Sequence, residues 1–112
     1  MKPTIYQCVT TIQGIRDYLS DAEIIAFDFE TAPDEAYRAE EKAALDPARA
    51  HIVGCAFSAQ ERTGIYVTVA HKIGANIDQT AFFLFLSDLL ANPHITKVAH
   101  NIAFESSMAY AK

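Results

Sequence analysis

The stretch Ile24-Ile25-Ala26-Phe27-Asp28-Phe29-Glu30-Thr31 constrains this chain more than any other, because an unbroken apolar run delivers two carboxylates two residues apart. Its continuous apolar character predicts a central strand, covered on both faces and ending at Glu30. Side chains alternate along a strand, so Asp28 and Glu30 point the same way. Two like charges side by side repel and are costly to desolvate unless a cation sits between them. No Lys or Arg occurs from Asp17 to Tyr37, so a divalent metal is the natural partner. The plain alternative is a solvated exit from strand to loop.

With 112 residues, the expectation is one domain with a real core. No targeting signal is visible, and the longest later apolar run, Ala81 to Leu86, is too short to cross a bilayer. The two cysteines, Cys8 and Cys55, each lie in an apolar, strand-like segment. Their spacing fits neither a zinc site nor a disulfide framework, so buried free thiols in a reducing, cytoplasmic compartment are expected. A net charge of −5 with scattered basic residues leaves no electrostatic footprint for nucleic acid. Binding of a polyanion would have to be local and assisted by bound metal.

Along the chain, Ile5 to Val9 predicts a first strand, and Thr10-Thr11 followed by Ile12, Ile15 and Leu19 predicts a capped amphipathic helix. Residues from about 31 to 50 are rich in Ala, Glu, Asp and Arg, with Pro33 and Pro47 near the ends, and predict an exposed insertion. His51 to Ser58 and Gly64 to Ala70 predict two antiparallel strands beside the Asp28 strand, joined by a polar connection of hairpin length. Asp78 or Asn76 can cap a helix to about Ala91 that buries Phe82, Phe85, Leu86, Leu89 and Leu90; Asn92-Pro93 stops it. Ile95 to Ala99 predicts a last strand, and Ile102 to Tyr110 a last helix. This order predicts an α/β fold with a mixed sheet flanked by helices.

A second cluster is Val98-Ala99-His100-Asn101-Ile102-Ala103-Phe104-Glu105. On a helix, Asn101 and Glu105 share one face. If the Ile95 strand runs parallel to the Asp28 strand, Glu105 approaches Asp28 and Glu30 where strand ends meet helix starts. Three hard oxygen ligands suit Mg²⁺ or Mn²⁺, and two such ions about 3.5–4 Å apart can activate water and stabilise a leaving oxygen in phosphodiester cleavage.

Phe27-Asp28-Phe29-Glu30-Thr31 resembles the first motif of the 3′–5′ exonucleases with the RNase H-like fold, the four-carboxylate group that includes the proofreading domains of family-A DNA polymerases and the RNase D type. His100-Asn101-Ile102-Ala103-Phe104-Glu105 resembles their second motif. The stretch from Leu45-Asp46-Pro47 through His51 to Ser58 and on to Ile65-Tyr66-Val67 is similar to the strand pair between those motifs in polymerase-associated members. The resemblance runs from about Tyr6 to Tyr110.

It implies that Asp28, Glu30 and Glu105 are catalytic metal ligands in a two-metal site. It further implies that Thr31 contacts the 3′-terminal nucleotide of single-stranded DNA, that Asn101 contacts substrate or orients its neighbours, and that the partner is the remainder of an exonuclease and polymerase chain; His100, close to the site, is a further candidate for a phosphate contact. Two departures stand out. Glu105 occupies a position that is usually Asp, and its extra methylene moves the carboxylate by about a bond length. The third motif, a Tyr or His followed by an Asp ligand, is missing. The expectation is therefore the N-terminal portion of such a domain, inactive by itself. The alternatives are a catalytically degenerate scaffold or nucleic-acid-binding module, and an RNase D-type RNA exonuclease. His51, His71 and His94 read as dispersed surface or capping residues.

Overall fold

The computed structural model describes residues 5–33 and 50–99. They form five strands and two helices: β1 (Ile5–Val9), α1 (Ile12–Leu19), β2 (Ile24–Pro33), β3 (Ala50–Ser58), β4 (Thr63–Thr68), α2 (Gln79–Ala91) and β5 (Thr96–Ala99). The sheet order is β1-β4-β3-β2-β5. β1 pairs parallel with β4 and β5 parallel with β2, while β3 runs antiparallel to both of its neighbours. This is the mixed α/β sheet that the sequence predicts.

Both helices start where a short polar side chain can take an orphan backbone N–H. Thr11 accepts from Gly14 N at 3.0 Å, and Asp78 from Ala81 N at 2.8 Å. Asp78 is therefore the α2 cap, and Asn76 is used elsewhere. The helices pack together on one face of the sheet, where Ile15, Phe82 and Leu86 meet Ile25, Phe27, Cys55, Phe57 and Val67. The strand register explains this face: Phe27 pairs with Phe57, Phe29 with Cys55, and Cys55 with Val67. Alternation then sends every second residue to the opposite side.

Three expectations need correction. β2 is interior, paired with β3 and β5, but among the described residues only one of its faces is covered: Ile24 is 61% exposed while Ile25 is fully buried. β2 also does not end at Glu30 but continues to Pro33, and β3 begins at Ala50, so the two ends of the expected insertion belong to the sheet. Residues 34–49 lie outside the described residues. Finally, Cys55 is buried but Cys8 is exposed, because it falls on the side of β1 opposite the helices. Among the described residues, no helix is long and apolar enough to cross a membrane.

Candidate functional site

Among the described residues, Asp28 and Glu30 occupy the sheet face that the two helices leave open, and both are exposed. Asp28 pairs across the ladder with Ala56 of β3, which in turn pairs with Tyr66 of β4. Glu30 pairs with Gly54. On this face β3 thus sets only the Ala56 methyl and the bare backbone of Gly54 between the acids and β4. Asp28, Ala56 and Tyr66 also line a broad trough of about 810 Å³, with Cys8 and Val98 nearby.

The gap in β3 is filled from β4. The Tyr66 ring leans across Gly54, where a Cβ would lie 1.9 Å from its Oη and 2.3 Å from its Cζ. In this pose the Tyr66 hydroxyl donates to Glu30 Oε2. It also lies 2.7 Å from His71 Nε2, with the two rings edge to face. A phenol carries one proton and an ionised carboxylate only accepts, so His71 Nε2 is the donor and the chain runs His71 to Tyr66 to Glu30. Burial, then the hydrogen bond and negative charge of Glu30, push the Tyr66 phenol above its ordinary range. Tyr66 remains a donor at neutral pH.

A loop holds His71 in place. Its backbone N donates to Asn76 Oδ1 at 2.8 Å, and Asn76 Nδ2 returns a bond to His71 O at 2.9 Å. Thr68 Oγ1 reaches Ala75 O at 2.6 Å. The register between β2 and β3 slips after Glu30, so that Thr31 pairs with Ile52 and Val53 is the extra residue. The Val53 carbonyl instead accepts from Val69 N and Ala70 N, which binds the start of the loop to the bulge. Sequence reasoning sets His71 aside and passes over Tyr66. The signal for them is the small pair Gly54 and Ala56 beside two acids, but it becomes legible only once the register is known.

Thr31 is half-buried in β2, immediately after the slip. β5 runs parallel to β2 and ends at Ala99 opposite Phe27, one residue before Asp28. The chain is thereby led toward the acids, which meets the condition set for Glu105. His100, Asn101 and Glu105 themselves lie outside the described residues. Among the described residues, no group of three or more His, Cys, Asp or Glu could hold a metal ion. What those residues supply is a two-carboxylate oxygen donor set on an open face, a chemistry that fits Mg²⁺ or Mn²⁺.

No family model matches the sequence. The chain is 30% identical over 90 residues to DNA polymerase I of Pseudomonas aeruginosa; the alignment takes in 78% of this chain and 9% of the polymerase. Among solved structures it is similar to Brucella melitensis NrnC with bound Mg²⁺, with a TM-score of 0.58 and 19% identity over 99% of this chain and 44% of that one. It is likewise similar to Brucella melitensis NrnC bound to pGG, with a TM-score of 0.59 and 21% identity over 98% of this chain and 45% of that one. A third structure, described as the apo form of the nuclease, gives 0.59 and 20% over 98% of this chain and 44% of that one. The chain thus spans under half of the NrnC chains and a small part of the polymerase. The shared fold is RNase H-like α/β, and the chain is exonuclease-like in fold.

Proposed function

Starting from an exonuclease-like domain of RNase H-like fold, we propose that the chain belongs to a metal-dependent 3′–5′ exonuclease acting on DNA, of the proofreading kind joined to a DNA polymerase. The observation that carries this reading is the Asp28 and Glu30 pair, two carboxylates on one open face of β2 beside the end of a parallel strand. The likeness to DNA polymerase I supports the polymerase setting. The NrnC structures with Mg²⁺ and with pGG support a divalent metal and a nucleic-acid substrate.

In this reading Asp28, Glu30 and Glu105 hold Mg²⁺ or Mn²⁺, and Thr31, Asn101 and His100 meet the 3′-terminal nucleotide. Bound divalent ions supply charge at the scissile phosphate and lower the pKa of a water nucleophile. The partners are the single-stranded 3′ end of DNA and the rest of a polymerase chain, in a reducing cytoplasm. A catalytically degenerate scaffold or nucleic-acid-binding module is the second reading. Glu105 at a position that is usually Asp and the net charge of −5 favour it.

The test is Mg²⁺-dependent trimming of a 3′-labelled single-stranded oligonucleotide by the protein as its gene encodes it. Trimming of DNA that is lost in Asp28→Asn supports the exonuclease. Binding without trimming supports the scaffold, and a strong preference for RNA supports an RNase D-type enzyme.

A further inference from the structure

We propose that Tyr66 is a positioning residue for Glu30: through its hydroxyl it holds the carboxylate in the pose that presents Oε1 to a cation shared with Asp28. This rests on reading Asp28 and Glu30 as cation ligands. Glu30 is a long side chain on an open face, and such a side chain samples several rotamers unless something fixes it. Ordering it costs free energy whenever a cation binds, and a hydrogen bond formed beforehand removes part of that cost. Tyr66 makes that bond to Oε2, and in this proposal the other oxygen, Oε1, is assigned to the cation.

The arrangement is held at every point. Gly54 vacates the space that the ring occupies, so the phenol can cross β3 from β4 to β2. His71 donates to the same oxygen from behind, at 2.7 Å, and fixes the hydroxyl proton toward Glu30. Asn76 locks His71 by two bonds, and the Val53 bulge fixes where that loop begins. A bond whose only purpose was to join β2 and β4 would not need a bulge, a glycine and a buttressed imidazole to aim it at one oxygen of a carboxylate.

The test is Mn²⁺ affinity, followed by electron paramagnetic resonance on the 112-residue chain, for wild type, Asp28→Asn, Tyr66→Phe, Glu30→Gln and the Tyr66→Phe, Glu30→Gln double variant. Tyr66→Phe keeps the ring over Gly54 and removes only the hydroxyl. Loss of a group that orients a metal ligand typically weakens binding by about 10-fold or more, and that is the expected result. The effect should vanish in the Glu30→Gln background, because Tyr66 acts through Glu30.

Wild-type affinity in Tyr66→Phe, with weakened binding in Glu30→Gln, would overturn the positioning role and leave the ligand reading intact. An equal loss in both backgrounds would also overturn it, because Tyr66 would then act by another route. If Glu30→Gln and Asp28→Asn both bind as wild type does, the ligand reading fails and the inference falls with it.

Discussion

Gly54→Ala tests the geometry of the open face by steric means. The new methyl would meet Tyr66 Oη at 1.9 Å and Cζ at 2.3 Å, and neither can yield without moving the whole ring. The ring must swing out, and its bond to Glu30 is lost. A hydrogen bond to a charged group that is partly open to solvent contributes about 1 kcal/mol. Forcing a methyl into a filled site costs roughly 1–3 kcal/mol more. Against this, alanine restricts the unfolded chain and returns about 0.4–1 kcal/mol, because Gly54, unlike Gly74 at φ +90, does not need a left-handed backbone.

The net expectation is a destabilisation of about 2 kcal/mol, or a fall in Tm on the order of 10 °C for a chain of this size. In a Tyr66→Ala background the obstacle is gone, and Gly54→Ala should be neutral or slightly stabilising. Urea unfolding of the four members of this cycle measures the coupling directly, and about 2 kcal/mol is expected. An equal cost of Gly54→Ala in both backgrounds would refute the reasoning, since the glycine would then serve the backbone rather than the tyrosine.

Other expectations follow from burial and capping. Phe82 is fully buried beneath the sheet while Leu84 is 65% exposed on the same helix; Phe82→Ala should cost about 3–5 kcal/mol in denaturant unfolding and Leu84→Ala under about 0.5 kcal/mol. Asp78→Ala removes the acceptor for Ala81 N and should cost about 1 kcal/mol, with a loss of helical circular dichroism on heating that begins earlier than in wild type. A thiol reagent should label Cys8 at once in the native protein and Cys55 only on unfolding; equal rates at the two sites would contradict the placement of the open face.

Local signals made much of this structure legible. Thr11 and Asp78 announce the helix starts, the polar connection after Ser58 announces a hairpin, and the acids at 28 and 30 share a face because a strand alternates. The sequence was less informative wherever the answer depended on a partner strand. Ile24 and Ala26 are as apolar as their neighbours, so composition could not reveal that their side of β2 lies open. Cys8 reads as core for the same reason. The Tyr66 to Glu30 bond links residues 36 apart and exists only because Ala56 pairs with both Asp28 and Tyr66, while the register slips at Val53. No local pattern encodes that coincidence. Glu105 lies outside the described residues and rests on resemblance; what the structure adds is that β5 runs parallel to β2 and ends opposite Phe27.

The most direct test of the central claim, that Asp28 and Glu30 hold a divalent cation, is a Mn²⁺ titration of the isotope-labelled chain followed by nuclear magnetic resonance. Paramagnetic broadening should appear first at the amides of Asp28 and Glu30 and at their ladder partners Ala56 and Gly54. It should disappear from all four in the Asp28→Asn, Glu30→Gln double variant. Broadening centred on another part of the chain, or unchanged in the double variant, would contradict the account.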